Sequence, residues 1–321
     1  MGIARILYHI QGIRVDGFRT VPSAGATYPL VVYVSAGDNF IPLKRGLYKY
    51  IPTSNTLEQT SREADFEGFK IKVTPIKTTS FYGSRGFRYI RQEVGHALLN
   101  LFLSLVSHGF NWKTSLLDLS MGDDIPEVEV AEVEVKAPER FCKGFLIEPG
   151  LSLDEVIAKR SSQRSFRREG ITEEQLLTIL KWSLGRVIEG GRVYPKIFRE
   201  YLVEAYVTVR LVRGLEPGVY YFNSQTMRLE PIKSGDFSEQ LWMYSLRQQP
   251  LLKSPATIIL SGSGYEAEVE SGVVGQSIYL NVTHEGLGTV AIGAFEDENI
   301  ARVTGIENPL YLMPIGKPFV P

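Results

Sequence analysis

Five consecutive residues near the middle of the sequence, Arg160 to Arg164, combine two guanidinium groups with two hydroxyl groups. Arginine supplies paired, charged hydrogen-bond donors and serine a short hydroxyl donor, so this cluster can bind a phosphate group. Ser152 is a suitable N-cap for a short helix over residues 153–159, which would place the cluster directly after the last turn. A solvated basic turn is the alternative interpretation, and composition alone favours it.

A second segment, RTVPSAGATYPLVVYV at residues 19–34, places a run of small or rigid residues between an arginine and a strand-like stretch. The run consists of Pro22, Ser23, Ala24 and Gly25. Such residues cannot build a core, but they allow the backbone to approach a ligand closely. One glycine without a phosphate-loop pattern is weak evidence for a nucleotide. Ser23 also lacks the Gly-x-Ser-x-Gly context of a serine nucleophile.

The cysteine and histidine residues do not suggest a metal site. Cys142 is the single cysteine, which excludes a disulfide within the chain and argues against a cysteine-based metal site. His9, His108 and His284 stand without acidic partners at metal-binding spacing. His96 lies in an apolar run, where a buried, hydrogen-bonded role is more common than a catalytic one. We therefore predict no bound metal.

The second half of the sequence repeats features of the first half. Arg19, Pro22, Tyr28 and Tyr33 recur 173 positions later as Arg192, Pro195, Tyr201 and Tyr206. Residues 95–109 align with residues 272–286 at an offset of 177. Because offsets this similar across several segments rarely arise by chance, we interpret the chain as a tandem duplication.

The elements of each copy follow the order helix, loop, strand, turn, strand, helix. Thr172 and Gln175 predict the start of a helix that runs to residue 184. Apolar residues at helical spacing predict two further helices over 95–108 and 275–285, which end at the glycines at 109 and 286. Residues 203–212 and 256–261 are rich in β-forming side chains. Strands and helices without regular βαβ alternation indicate an α+β fold.

The segment between the two copies alternates glutamate and valine over residues 122–141. A period of two predicts an extended arm on a sheet edge, and a solvated acidic linker is the alternative. The predicted organisation is a first half over 1–121, a linker or arm over 122–150 and a second half over 151–321.

The composition excludes several classes of protein. With 35 basic and 36 acidic residues among 321, the chain has no electrostatic case for binding nucleic acid or an anionic membrane. Its longest apolar stretch is too short and too polar to cross a bilayer, and no secretion signal is evident. We expect a soluble, cytoplasmic protein.

Four motifs together resemble the FMN-dependent nitroreductase superfamily, in particular its SagB-type branch of azoline dehydrogenases. KRSSQRSF is similar to an RRSxRxF element that holds the flavin phosphate, and RTVPSAGATYPLVVYV followed by GLYKYIP is similar to a motif of the SagB-type branch. FYGSRGFRYIRQEVGHALLNLFLSLVSHGF (81–110) and GLGTVAIGAFEDENIARVTGIENPLYLMPIGKP (286–318) also resemble motifs of this branch. The four occur in family order, and the resemblance covers most of the chain.

The resemblance implies a nitroreductase fold, which is typically a homodimer with two FMN sites shared between subunits. Here two tandem α-β-α halves would form that dimer within one chain, and a monomer with one composite FMN site is expected. The implied cofactor-binding residues are Arg160, Ser161, Ser162, Arg164, Ile292 and Gly293 from the second half, and Pro22, Ser23, Ala24 and Gly25 from the first. The cluster Arg160–Arg164 is called the Arg/Ser element below. The opposite site would be lost, because the first half has no counterpart of this element and the second half has Lys196, Ile197 and Phe198 where the first has Ser23, Ala24 and Gly25.

The function implied by the resemblance is FMN-dependent oxidation and reduction of a small molecule, with ping-pong kinetics and NAD(P)H as electron donor. Tyr82 is the candidate acid–base residue, because it matches the tyrosine of a Lys-Tyr pair associated with proton removal in the SagB-type branch. Phe81 replaces the lysine, and a phenol that ionises near pH ~10 is a poor base alone. Tyr82 as aromatic packing, a SagB-type dehydrogenase with a partner cyclase, and a degenerate flavin-binding scaffold remain alternatives.

Overall fold

Two six-stranded antiparallel sheets, each from a successive half of the chain, form the framework of the computed structural model. The structure describes residues 2–37, 43–122, 125–136, 151–186, 191–192 and 194–319. The chain divides into two units, Met1–Ala158 and Lys159–Pro321. Cys142 and the linker residues 137–150 lie outside the described residues.

The first unit places its helices before, within and after the sheet. The elements are α1 (Ile3–Gln11), β1 (Leu30–Ala36), β2 (Gly46–Ile51), β3 (Thr56–Ser61), β4 (Gly68–Val73), α2 (Ile76–Tyr82), α3 (Arg85–Ser107), β5 (Asn111–Leu116), β6 (Val128–Lys136) and most of α4 (Leu153–Lys159). The strand order is β3-β2-β1-β4-β6-β5. In α1 the buried Ile3, Ile6, Leu7 and Ile10 follow helical spacing, and the helix packs on α3.

The second unit repeats this plan with additional short elements. They are β7 (Ile171–Thr172), α5 (Glu173–Leu184), β8 (Glu204–Val209), β9 (Val212–Arg213), β10 (Gly218–Asn223), β11 (Arg228–Ser234), α6 (Ser238–Met243), α7 (Gln249–Lys253), β12 (Ala256–Ser261), α8 (Gly264–His284), β13 (Gly288–Thr289), α9 (Asp297–Thr304) and β14 (Pro309–Gly316). The strand order is β11-β10-β8-β12-β14-β13, which matches the first sheet strand for strand. Helix α5 packs on α8, as α1 packs on α3.

The predicted α+β class and several local signals are confirmed. Thr172 caps α5 in a capping box with Gln175, because each side chain accepts a hydrogen bond from the backbone N–H of the other. Ser152 and Glu155 form the same arrangement before α4. Gly109 and Gly286 follow α3 and α8 with positive φ angles of 75° and 67°, as C-terminal glycines commonly do.

The Glu/Val segment forms a strand, but its predicted place at the sheet edge is wrong. Strand β6 pairs with β4 on one side and β5 on the other, because β5 occupies the outer position. Its valines point into the core, while Glu129 and Glu132 bind the ammonium group of Lys70 at 3.2 and 3.0 Å. The alternation therefore reflects a core face and an ion-paired face.

Three other predicted elements have different bounds in the structure. Strand β8 ends at Val209 and the chain turns before β9, so the predicted strand over 203–212 is divided. Helices α3 and α8 begin at Arg85 and Gly264, well before the predicted residues 95 and 275. Helix α8 is buried on nearly every side, so its first turns show little of the amphipathic periodicity from which a helix is predicted. Among the described residues, no helix combines the length and apolar character needed to cross a membrane.

Candidate functional site

Arg160 follows the last turn of α4 and is only 2% exposed. Its guanidinium carbon lies 5.0 Å from the ring centroid of Tyr279 on α8, a cation–π arrangement. Because a buried charge requires compensation, this residue does not belong to a solvated basic turn, and that alternative is wrong for Arg160. Arg164, four residues on, is exposed.

Ser162 is linked to the segment around Ile292 and Gly293 through the hydroxyl group of Tyr279. Its Oγ lies 2.9 Å from Tyr279 Oη, and the same Oη accepts a hydrogen bond of 2.8 Å from the backbone N–H of Ala291. Gln163 N–H also donates to Thr289 O at 2.8 Å. The structure therefore brings the Arg/Ser element beside the chain that enters Ile292 and Gly293.

The backbone around Ile292 and Gly293 is fixed from both sides. Ile292 and Leu312 exchange hydrogen bonds of 2.9 and 3.0 Å, which attach the segment to β14. The Gln248 side chain donates to Ala294 O at 3.1 Å, and Glu296 N–H donates to Tyr244 O at 2.8 Å. A ligand beside Gly293 would therefore meet a preorganised backbone.

In the first unit the run Pro22–Gly25, called the small-residue turn below, enters a short 3₁₀ turn over Ala24–Ala26. Gly25, Ala26 and Tyr28 all have positive φ angles, 57°, 55° and 47°. The left-handed conformation costs a non-glycine residue roughly 1–2 kcal/mol. Hydrogen bonds compensate for this cost, since Ser23 Oγ accepts from Tyr28 N–H at 3.0 Å and the Thr27 hydroxyl donates to Ala24 O at 3.0 Å. Such strain is typical of functional turns.

Tyr82 is the last residue of α2 and lies beside this turn. A β carbon placed on Gly25 would overlap Tyr82 Oη, so a residue larger than glycine displaces the phenol. The ring packs edge-on against Tyr89, with centroids 5.2 Å apart, and remains 37% exposed. Phe81, at the position of the branch lysine, is 77% exposed.

Two side chains near the candidate site were not identified from the sequence. Tyr279 lies in an apolar helix run, where a tyrosine is indistinguishable from a core residue. Glu93 on α3 is 3% exposed, and burial raises the pKa of its carboxyl to about 8, against the opposing effects of the Ser23 hydroxyl and the Arg19 charge. The repeat could have revealed Glu93, because Glu270 stands 177 positions later.

The small-residue turn and the Arg/Ser element belong to different units. Within the first unit the structure brings together Pro22–Gly25 and Tyr82. Within the second unit it brings together Arg160, Ser162 and the Ile292–Gly293 segment. Across the described ranges no group of three His, Cys, Asp or Glu side chains could hold a metal ion.

Comparisons with known proteins identify the family of the chain and its fold. The nitroreductase family profile matches residues 157–317, half of the chain. A protein of Methanocaldococcus jannaschii named as a nitroreductase is 38% identical over 125 residues, a match that covers 33% of this chain and 63% of that relative. The match therefore spans less than two thirds of the relative's length.

A solved structure shows the same fold over nearly the whole chain. The crystal structure of a protein of Anabaena variabilis, described as a nitroreductase, superposes with a TM-score of 0.83 at 20% identity. The superposition covers 98% of this chain and 87% of that one. The chain therefore has the nitroreductase fold.

Proposed function

Because the chain belongs to the nitroreductase family, we propose that it is an FMN-dependent oxidoreductase that binds one flavin per chain. The observation that carries this proposal is the link from Ser162 through Tyr279 Oη to the backbone of Ala291. It fixes a charged, hydroxyl-rich element beside a rigid backbone segment, which is what a ligand with a phosphate at one end and a planar ring at the other requires.

The residues of the Arg/Ser element fit a phosphate group. The buried guanidinium of Arg160 provides charge in a region of low dielectric, where its attraction to an anion is stronger than in water. Ser162 provides a hydroxyl, and Ser161 Oγ is oriented by the Gln163 amide, which donates to it at 2.7 Å. Arg164 is exposed and would act as a second, more mobile cation.

The small-residue turn fits the flat face of the ring. Gly25 has no side chain to obstruct an approaching ring. Backbone N–H groups of Ser23 to Gly25 and of Gly293 would be directed at the heteroatoms of the ring, where fixed dipoles stabilise developing negative charge. In this proposal the first unit contributes the turn and the second contributes the phosphate-binding element to the same flavin.

Internal duplication explains why one site is expected and not two. The identical strand order of the two sheets supports a common origin of the halves. The positions equivalent to Ser23, Ala24 and Gly25 carry Lys196, Ile197 and Phe198, whose side chains would occupy the space of a ring. We therefore propose that the second site has been lost and that the protein functions as a monomer.

FMN, when bound, supplies hydride or electron transfer between a donor and an acceptor. We propose NAD(P)H as donor and a small molecule as acceptor, each occupying the same position in turn, which gives ping-pong kinetics. The proposed role of Tyr82 is proton donation, because a neutral phenol gives up a proton more readily than it accepts one. Its hydroxyl lies beside Gly25, at the turn proposed to face the ring.

The experiment that tests the proposal is the absorption spectrum of the purified protein with flavin content per chain. One FMN per chain is expected, and an Arg160→Ala, Arg164→Ala double variant should bind it about 10- to 100-fold more weakly. Arg168→Ala is the matched control, because Arg168 is exposed in the same segment. A colourless protein that stays free of flavin after incubation with FMN would refute the proposal, and two flavins per chain would refute the single site.

The second candidate is a SagB-type azoline dehydrogenase that acts on a peptide with a partner cyclase. The order of the four motifs favours it, and Phe81 in place of the lysine argues against it. Flavin that is reduced by NADH or NADPH supports the first candidate. Flavin that is reduced only by an azoline-containing peptide supports the second, and flavin that neither reduces indicates a degenerate binding protein.

A further inference from the structure

A cleft in the second unit shares no residue with the proposed flavin site. Its volume is about 700 Å³, and binding sites for small molecules usually measure roughly 300–1,000 Å³. Residues from 170–175 and 210–217 line the cleft, together with Lys317. The proposed binding of FMN therefore gives this cleft no role.

One side of the cleft is apolar and is formed around two short strands. Ile171 of β7 pairs with Val212 of β9, and the two residues are only 1% and 5% exposed. Leu211, which also lines the cleft, is 45% exposed. Because covering an exposed leucine side chain is favourable, a ligand of this cleft should have an apolar body.

The charged residues that line the cleft are all basic, namely Arg210, Arg213 and Lys317. Two backbone carbonyl groups hold the guanidinium of Arg210 in place, because its Nε donates to Ser254 O at 3.0 Å and its Nη2 donates to Lys253 O at 2.8 Å. Carbonyl oxygens orient a guanidinium group but leave its net charge in place. The cleft therefore contains a fixed positive charge.

Carboxylates compensate only one of these three charges. Lys317 Nζ lies 2.9 Å from Glu169 Oε2. Among the residues that the structure describes, neither Arg210 nor Arg213 forms an ion pair with a carboxylate. The two arginines therefore give the cleft an excess of positive charge that attracts an anion, and guanidinium groups donate paired hydrogen bonds to phosphate oxygens.

We propose that the cleft binds a small organic phosphate, with the phosphate group held by Arg210 and Arg213 and the apolar body lying over Leu211. Two arginine charges match the charge of a phosphate dianion better than that of a carboxylate. Inorganic phosphate lacks the apolar body and a neutral aromatic molecule lacks the charge, so neither satisfies both sides of the cleft. The second unit then has a ligand site that is independent of flavin.

Calorimetric titration of the full chain with phenyl phosphate tests the proposal, because this probe combines an apolar ring with a phosphate group. We expect it to bind at least about tenfold more tightly than inorganic phosphate, phenol or benzoate. Equal binding of inorganic phosphate or phenol would overturn the two-sided site, and equal binding of benzoate would overturn the assignment of a phosphate.

Backbone amide chemical shifts, measured by NMR in the same titration, locate the probe. We expect the shifts to change within residues 170–175 and 210–217. Changes confined to residues 160–164 and 291–294 would place the probe in the proposed flavin site and would overturn the proposal.

Arg213→Gln is the decisive variant, because Arg213 is exposed and its replacement leaves the core intact. We expect it to weaken the binding of phenyl phosphate about tenfold, and Leu211→Ser to weaken it about threefold. Arg228→Gln is the matched control, since Arg228 is an exposed arginine of β11 outside the cleft, and it should leave the affinity unchanged. Parent-like affinity of Arg213→Gln, or no binding of phenyl phosphate at millimolar concentration, would overturn the proposal.

Discussion

The hydroxyl group of Tyr82 lies directly against Gly25, so that a β carbon at position 25 would overlap Tyr82 Oη. The pair joins the end of α2 to the small-residue turn within the first unit. Any side chain at position 25 must move the phenol or the turn, and the positive φ of 57° adds a conformational cost. The consequences of this contact can be measured.

Gly25→Ala should destabilise the protein and displace Tyr82. Gly17→Ala is a matched control, because Gly17 also has a positive φ, 81°, but has open space around its α carbon. Both variants should lose roughly 1–2 kcal/mol from the left-handed conformation, and only Gly25→Ala should lose more from the clash. Urea unfolding measures the difference, and equal losses would contradict the contact. Weaker FMN binding is expected for Gly25→Ala alone.

Tyr279→Phe should remove the hydrogen bonds of the Tyr279 hydroxyl while it keeps the cation–π contact of the ring with Arg160. The ring that faces Arg160 stays, while the hydroxyl that accepts from Ala291 N–H is removed. Leaving a polar group without its partner costs about 1–3 kcal/mol. We expect that loss in urea unfolding, together with weaker FMN binding. Tyr220→Phe serves as control, because that hydroxyl donates to the Glu216 carbonyl in another part of the unit. Equal effects of the two variants on FMN affinity would argue against the link.

The Glu93 carboxyl should make stability depend on pH in the neutral range. Burial raises its folded-state pKa to about 8, above the value near 4.3 expected in an unfolded chain. Between these two values the unfolded chain releases a proton that the folded protein keeps, so the free energy of unfolding falls as pH rises, and this contribution levels off above about pH 8. Glu93→Gln should remove this part of the decline in urea unfolding from pH 5 to 9. An unchanged pH profile would show that Glu93 is ionised in the folded protein.

His9 should titrate below the usual range of histidine. Burial lowers its pKa, and the carboxylate of Asp154, 2.8 Å from His9 Nε2, opposes that effect. The unfolded chain therefore binds a proton first as pH falls through about 6.5, and stability contributed by the neutral ring is lost on acidification. Asp154→Asn should lower the pKa of His9 further, as measured by NMR titration of the imidazole Cε1–H. A rise in that pKa would contradict the pairing.

Local signals and the repeat made much of the architecture predictable. Thr172 with Gln175 defined the start of α5 because capping depends on side chains adjacent in sequence. The duplicated tyrosines and arginines indicated two similar halves, and the two sheets have matching strand order. The position of β6 was not predictable, because pairing with both β4 and β5 depends on the whole sheet.

The candidate site was less accessible to sequence reasoning. Arg160 could be proposed as a phosphate ligand from its residue type and its neighbours alone, and the structure adds that it is buried against an aromatic ring. Tyr279 and Glu93 carried no local signal, since their roles depend on contacts between elements distant in sequence. In a helix as buried as α8, polar residues that bind partners do not stand out from a periodic pattern.

Glu270 accepts hydrogen bonds from the Arg192 side chain and from the backbone N–H of Leu202, so the second unit holds its counterpart of the small-residue turn closed at the base. A loop closed at its base tolerates new residues at its tip, so the proposed loss of the second flavin site would leave the fold intact. The same closure makes the loop suitable for a graft: Lys196→Ser, Ile197→Ala and Phe198→Gly together would place the small residues of the first unit on a loop whose base is already held.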